Sequence, residues 1–167
     1  MVELLDARVA AESKPARSDS QEAHFSPGWP RMSDPDQFQL LNTARQSVDI
    51  CVFTITDDRI SQAILAAHGR GVGLRILTDN EKAEDLGSDI ARFREAGIPV
   101  CIDRSQAHMH HKFAIFDGGL LLTGSYNWIS AAEENEENFV LARTRHVGPF
   151  QSVFDRLWER LHATGQC

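Results

Sequence analysis

Cysteine is scarce in this sequence, and its positions follow no recognised pattern. Cys51, Cys101 and Cys167 make an odd number, and no two of them have the Cys-x-x-Cys spacing of a metal or redox site. Cys51 and Cys101 each lie in an apolar run, where a free cysteine behaves as a small buried hydrophobic residue. We therefore expect neither a structural disulfide nor a cysteine-based metal site.

Long apolar stretches and excess positive charge are missing as well. No run approaches the roughly 18–20 apolar residues of a membrane span, and the first residues lack the basic-then-apolar pattern of a secretory signal. The formal net charge is −7. Overall charge would not attract the protein to nucleic acid or anionic lipid, so a polyanionic substrate must be held by a local basic patch. These absences predict a soluble, cytoplasmic protein with no integral membrane segment.

The composition itself is ordinary for a globular protein. The 167 residues are 42% hydrophobic and 25% charged, which excludes disorder as the main state and suits a single domain. Residues 1–21 are polar after a short apolar start. We interpret them as a flexible N-terminal leader, followed by one domain at residues 22–165.

Hydrophobic periodicity predicts alternating strands and helices along that domain. Strands are expected at 23–25, 48–55, 72–78, 98–102, 112–116, 120–123 and 139–142, and helices after Asp34-Pro35, after Asp57 or Asp58, at 89–96 and at 150–161. This order predicts an α/β fold, a mixed β-sheet flanked by helices on both faces.

The residues with catalytic potential are concentrated between positions 108 and 138. His110-x-Lys112 opens one predicted strand, Ser125 and Asn127 end the next, and Asp117 lies between the two strands. Alternation puts His110 and Lys112 on one face of the strand, and hairpin pairing brings Ser125 and Asn127 to them. The result is a cluster of imidazole, ammonium, hydroxyl and carboxamide.

This inventory suits a phosphate diester. Lys112, Ser125 and Asn127 offer hydrogen-bond donors to phosphate oxygens, and the lysine neutralises charge that develops in the transition state. His110 can attack phosphorus if one ring nitrogen is free of its proton. Glu137 is the candidate carboxylate for holding that tautomer.

The order His-x-Lys-x₄-Asp, Gly-Ser-x-Asn, Glu-Asn resembles the signature of the phospholipase D superfamily. Over about residues 22–162 the chain looks most like the branch with a single such motif, which includes the bacterial endonuclease Nuc and the Zucchini/mitochondrial cardiolipin hydrolase proteins. The resemblance implies a metal-independent and cofactor-independent phosphodiesterase in which His110 forms a phosphohistidine. It also implies that Lys112, Ser125 and Asn127 bind phosphate, and that Asp117 is mainly structural.

The phosphohistidine reaction of this family needs two such motifs, and the sequence contains one. A second histidine must protonate the leaving oxygen, yet no other histidine is followed by lysine two residues later, and the chain has no internal repeat. Single-motif members of the family supply the pair by dimerising. We therefore expect a homodimer with two motifs meeting at its twofold axis.

The sequence departs from the family pattern in three places. Ile129 stands where the family often has Thr or Ser, and the segment from Asn127 to Glu137 is one residue short, which leaves Glu136 as an alternative orienting carboxylate. Many eukaryotic members also carry a membrane anchor or a zinc-binding insertion; we expect neither here, which points to a soluble bacterial-type enzyme.

Several alternatives remain open at this stage. His108 is either a solvated loop residue or an indirect contact of the site, and the acidic run 133–137 is otherwise a solvated helix face. Trp128 suits core or rim packing better than base stacking. A metal site at the clustered histidines is disfavoured, because His110 and His111 point to opposite faces of a strand. The favoured substrate is single-stranded nucleic acid, with phospholipid as the alternative and a non-catalytic nucleic-acid-binding or complex subunit as a third reading.

Overall fold

The computed structural model describes residues 21–25, 36–80, 88–129 and 137–167. Among these residues, seven strands form one mixed sheet and four helices pack against it. The strands are β1 (Gln21–Phe25), β2 (Ser47–Val52), β3 (Gly73–Asp79), β4 (Val100–Asp103), β5 (Lys112–Phe116), β6 (Leu120–Gly124) and β7 (Asn138–Arg143). The helices are α1 (Asp36–Thr43), α2 (Asp58–Gly69), α3 (Ile90–Glu95) and α4 (Val147–Ala163).

The strand order is β1-β7-β6-β5-β2-β3-β4. Strands β2, β3 and β4 run parallel, and the helices α2 and α3 lie between them in sequence, as parallel neighbours require. Strand β5 then pairs antiparallel with β2, so that Lys112 faces Val52 across the ladder. The end of β2 and the start of β5 therefore lie side by side, near the middle of the sheet.

The two faces of the sheet bury two separate apolar clusters, because side chains alternate along each strand. Ile50 and Ile76 pack on the face covered by α1, α2 and α3. Cys51, Leu77 and Phe113 pack on the opposite face, where α4 contributes Phe154 and Leu161. The predicted mixed sheet with helices on both faces is confirmed.

Strand β2 ends three residues earlier than the apolar run predicted. Ile55 leaves the sheet and forms an isolated parallel bridge with Trp128, and the N–H of Thr56 donates to the Trp128 carbonyl at 2.9 Å. The Trp128 side chain is only 3% exposed, so its predicted core packing is confirmed. Of the predicted leader at 1–21, residues 1–20 lie outside the described residues, whereas Gln21 is the first residue of β1 and pairs with Ala142. The predicted helix cap at Asp34-Pro35 and the acidic residues 133–136 also lie outside them.

The expectation of no structural disulfide is wrong, because Cys101 and Cys167 are bonded to each other. After α4 the chain folds back along β4, and the Gln166 carbonyl accepts the N–H of Ile102 at 2.8 Å. This pairing brings Cys167 to Cys101, from which it is separated by 66 residues in sequence. Cys51 is a buried free thiol, as expected.

In the described part of the chain, every helix is too short or too polar to cross a membrane.

Candidate active site

The candidate site lies where β2 ends and β5 begins. Lys112 is the first residue of β5, and His110 lies two positions before it, in the segment that leads into the strand. The Lys112 ammonium lies 3.1 Å from Nδ1 and 3.3 Å from Nε2 of His110. A ring nitrogen that accepts this contact must carry a lone pair, which is the form that a nucleophilic histidine needs.

The neighbouring rings confirm the alternation predicted for this segment. The His110 ring contacts Phe53, with ring centroids 4.9 Å apart. The His111 ring instead contacts Phe113, with centroids 5.7 Å apart, on the α4 side of the sheet. His110 and His111 therefore face different surroundings.

The electrostatics of Lys112 reflect its half-buried position. Burial lowers the pKa of its ammonium, and the negative charge of Glu137 opposes part of that shift. The pKa of His111 is also lowered, first by burial and then by the Lys112 charge. Lys112 is therefore a partly desolvated cation, and an anionic phosphate beside it would be attracted more strongly than in bulk water.

Ser125 and Glu137 form a connected pair beside this lysine. The Ser125 hydroxyl donates to the Glu137 carboxylate and accepts the backbone N–H of Asn138, the latter at 3.0 Å. In return, the Ser125 N–H donates to the Asn138 carbonyl at 3.0 Å. Glu137 is thus linked to the site through Ser125. Asn138 fixes the position of this serine, a role that the sequence analysis did not assign to it.

The close approach of β6 and β7 explains why the residue before Ser125 is a glycine, Gly124. A Cβ atom built on Gly124 would lie 2.1 Å from the Asn138 carbonyl oxygen and 2.6 Å from the Phe139 Cα. Real side chains never tolerate such distances, so β6 and β7 can approach this closely only with glycine at position 124. The Gly-Ser and Glu-Asn pairs of the sequence therefore meet in one backbone contact between the ends of β6 and β7.

Asn127 and Tyr126 take opposite directions after β6. Tyr126 is 4% exposed and belongs to the core beneath the sheet. Asn127 is half-buried, and its Oδ1 has no hydrogen-bond partner within the described ranges. This buried oxygen is a hydrogen-bond acceptor that the described contacts leave unpaired.

Asp117 lies away from this cluster. It follows the last residue of β5, five residues from Lys112, which corresponds to roughly 17 Å along an extended strand. Its carboxylate accepts the backbone N–H groups of Arg45, Gln46 and Ser47 at 2.7–3.1 Å. Burial would raise the pKa of Asp117, but these donors outweigh it and hold the pKa below its ordinary value. Asp117 ties the β5–β6 turn to the start of β2, which agrees with the structural role implied by the resemblance.

Three further residues border the site, and of these the sequence analysis considered only His108. Phe53 follows β2, Asp79 ends β3, and His108 precedes β5. The Asp79 carboxylate accepts the N–H of Met109 at 2.7 Å and pairs with Nδ1 of His108 at 3.5 Å. The available signal was a charged residue ending a buried apolar strand, and that pattern alone does not say what the charge contacts.

A cleft of about 450 Å³ opens beside His110, between the segment before β5 and helix α4. Ser105, His108, Leu157 and Arg160 help to line it. Arg160 is paired with the buried Asp103 at 2.8 Å, so part of its charge is already neutralised.

One group of metal-ligating side chains is compact enough, within the described residues, to share an ion. The ligand atoms of Cys101, His162 and Cys167 all lie within 4.8 Å of one another. The two sulfurs are bonded to each other, so neither is the thiolate that a metal would require. The group belongs to the end of α4 and its contact with β4, and not to the cluster around His110.

Sequence comparison relates the chain to phospholipase D-like proteins. Residues 38–158 match the family model described as "Cardiolipin synthase, PLD-like domain". The mitochondrial cardiolipin hydrolase of Chlamydomonas reinhardtii is 52% identical over 121 residues, which are 71% of this chain and 54% of that protein. The human protein of the same name is 39% identical over 126 residues, 74% of this chain and 50% of that protein. The chain thus spans about half the length of these relatives.

Solved structures show the same fold. The phospholipase D family member Nuc from Salmonella typhimurium superposes with a TM-score of 0.77 at 26% identity, covering 85% of this chain and 95% of that one. NucT from Helicobacter pylori gives a TM-score of 0.77 at 23% identity, covering 85% and 97%. With a family model matched over residues 38–158 and a relative of 52% identity, the chain belongs to the phospholipase D-like family.

Proposed function

We propose that the protein is a metal-independent phosphodiesterase that uses His110 as its nucleophile. The observation that carries the proposal is the contact between the His110 ring and the Lys112 ammonium, at 3.1 Å, with Ser125 and Glu137 beside them. A neutral imidazole next to a cation is suited to attack an anionic phosphate, because the cation offsets the repulsion and binds the developing charge.

The reaction proceeds in two steps that balance in atoms and protons. The lone pair of a His110 ring nitrogen forms a bond to phosphorus while the bond to the leaving oxygen breaks, and a second histidine gives that oxygen a proton. The second histidine then takes a proton from water, whose oxygen attacks phosphorus and releases His110. Lys112, Ser125 and Asn127 hold the non-bridging oxygens in both steps.

The second histidine comes from a second copy of the chain. His110 is the only histidine in the sequence with a lysine two residues later. A twofold axis close to His110 supplies the missing group, because the same surface of each protomer then faces its partner. The active form we propose is a homodimer with one composite site.

The substrate class favoured by the relatives is a phospholipid diester. The relatives of 39–52% identity quoted above carry the name mitochondrial cardiolipin hydrolase. Single-stranded nucleic acid is the second candidate, supported by the shared fold of Nuc and by the exposed position of His110. Both substrates present the same diester to the site, and the net charge of −7 disfavours indiscriminate binding of either polyanion. A cytoplasmic location stays a prediction.

The test compares both substrates with no divalent ion available. The wild-type protein, His110→Ala and the control His68→Ala are incubated in excess EDTA with cardiolipin-containing vesicles, and separately with end-labelled single-stranded DNA and RNA. His68 is a suitable control because its ring contacts the Ala96 carbonyl at 3.0 Å, on the α2–α3 side of the fold. We expect cleavage by the wild type and by His68→Ala, and loss of at least about 1,000-fold in His110→Ala.

The pattern of products identifies the substrate. Headgroup or phosphatidate release with intact nucleic acid supports the lipid diesterase, and the reverse pattern supports the nuclease. Cleavage that survives in His110→Ala, or that EDTA abolishes, would contradict the mechanism.

A further inference from the structure

A buried carboxylate lies directly beneath the segment that carries His110. Asp79 is the last residue of β3, and its side chain is 0% exposed. Burying an ionised carboxylate is costly unless polar partners surround it. The groups that hydrogen-bond to Asp79 therefore show which segment of the chain its carboxylate stabilises.

Two of its partners belong to the segment before β5. One carboxylate oxygen accepts the N–H of Met109 at 2.7 Å, and the other lies 3.5 Å from Nδ1 of His108. The Met109 side chain is 5% exposed and its sulfur lies 3.5 Å from the sulfur of Cys51. Both the backbone and the side chain of the residue preceding His110 are thus fixed.

Phe53 contacts the same segment from the neighbouring strand. Its carbonyl accepts the hydroxyl of Thr78 at 3.0 Å and the N–H of Asp79 at 3.4 Å, so the ends of β2 and β3 are joined. Its ring lies 4.9 Å from the His110 ring and 6.0 Å from the His108 ring, between centroids. Asp79 and Phe53 therefore both contact the segment 108–110, Asp79 through hydrogen bonding and Phe53 through its ring.

We propose that Asp79 is a positioning residue for the reaction of His110. Its carboxylate anchors residues 108–110, so that the His110 ring stays between Phe53 and the Lys112 ammonium. The inference rests on the proposed function, and it adds a residue that acts through the backbone and not on the substrate. A small displacement of His110 would lower the rate of attack on phosphorus, since a shift of about 1 Å costs roughly 100-fold in oriented reactions.

Met109 and His108 should respond differently to an amide and to an alkyl side chain at position 79. The Met109 N–H is always a donor, whereas Nδ1 of His108 accepts when the ring proton is on Nε2. Asn at position 79 can meet both, with its oxygen towards Met109 and its NH₂ group towards His108. Ala or Leu can meet neither, and Leu additionally fills the space that the carboxylate occupied.

The experiment measures kcat and KM for the diester substrate in Asp79→Ala, Asp79→Leu and Asp79→Asn, normalised to the folded fraction. Asp49→Ala is the matched control, because Asp49 is a buried carboxylate on β2 that pairs with Arg75 of β3 at 2.7 Å. We expect kcat to fall about 100-fold in Asp79→Ala and Asp79→Leu with KM within about threefold, because Ser125 is held by Glu137 and Asn138, and the backbone of Lys112 by its pairing with β2. Asp79→Asn retains activity within about tenfold, and Asp49→Ala loses stability without losing kcat.

A second readout separates this inference from the proposed function. We expect hydrogen exchange of the Met109 amide to be slow in the wild type and in Asp49→Ala, and to accelerate at least about 100-fold in Asp79→Ala or Asp79→Leu. A wild type that cleaves no diester overturns the proposed function, and exchange at Met109 then decides the anchoring role alone. Unchanged exchange, or a kcat of both alkyl variants equal to that of Asp49→Ala, overturns the inference.

Discussion

At the scale of single residues, the site depends on how one lysine is surrounded. The Lys112 ammonium contacts both nitrogens of the His110 ring and the His110 carbonyl, at 3.1–3.3 Å. Burial lowers its pKa, and the charge of Glu137 opposes that shift. Glu137 therefore has two effects, because it also accepts the Ser125 hydroxyl. The charged state of the lysine and the position of the serine are coupled through one carboxylate.

Replacing Glu137 by Gln tests this coupling. The negative charge favours the protonated lysine, so its removal lowers the pKa of Lys112 further. If the protonated lysine is required for turnover, the alkaline decline of kcat/KM moves to lower pH in Glu137→Gln. The measurement is a pH–rate profile across the alkaline range, beside Glu159→Gln, which alters an exposed glutamate of α4. A decline that stays in place or moves to higher pH would contradict the role of Glu137.

Part of this residue cluster was predictable and part was not. Strand alternation and hairpin pairing bring His110, Lys112 and Ser125 together, because those rules act over a few residues and one turn. Phe53, which follows β2, and Asp79, which ends β3, precede His110 by 57 and 31 positions in the sequence. Their approach depends on the strand order, which no local pattern encodes.

At the scale of elements, the site depends on a close contact between β6 and β7. Gly124 pairs with Phe139 across this ladder, at the point where a Cβ would overlap the Asn138 carbonyl. Ser125 follows immediately and exchanges hydrogen bonds with Asn138. Separation of the two strands at Gly124 would therefore move Ser125 relative to Glu137.

Substituting Gly124 by Ala measures this dependence. The added methyl group forces the strands apart, so we expect a loss of at least about 2 kcal/mol in the free energy of unfolding. We expect kcat/KM of the folded fraction to fall as well, because the Ser125 hydroxyl shifts. Gly119→Ala is the matched control, since its Cβ would meet only the Asp117 carbonyl at 3.8 Å. Denaturant unfolding and kinetics of both variants check the prediction, and equal stability of the two would contradict it.

The strand boundaries show the limit of periodicity at this scale. The run from Val48 to Ile55 is almost continuously apolar and predicts one strand, yet β2 ends at Val52. Ile55 is buried because it bridges to Trp128, more than 70 residues later, and not because it continues the ladder. Hydrophobicity reports burial correctly in this segment, but it does not distinguish a strand from an ordered extended loop.

At the scale of the whole molecule, the proposed chemistry needs more than one chain. The sheet and its two helical layers place one His110 at the surface, and the sequence contains no second copy of the motif. The disulfide illustrates the same dependence on long-range arrangement, because Cys167 reaches Cys101 only after the chain returns along β4. The fold class followed from local patterns, whereas pairings between distant segments did not.

Mixing wild-type and His110→Ala chains tests the composite site. A heterodimer would hold one of the two histidines, so it would be unable to complete the reaction. Activity then follows the square of the wild-type fraction, which gives about one quarter of full activity in an equal, fully exchanged mixture of C₂ dimers. Differently tagged chains are co-expressed, purified and assayed at several ratios. A linear dependence on the wild-type fraction would contradict the shared site.

The central claim is that His110 becomes covalently bound to phosphorus during turnover. The most direct measurement is rapid quenching of the protein with a diester substrate in excess EDTA, followed by mass spectrometry of the peptide that contains residues 108–112. The account predicts a substrate-derived phosphoryl group on His110, and its absence from His110→Ala. A wild-type protein that turns over the diester while this peptide stays unmodified at every quench time, or a label carried by another residue, would contradict it.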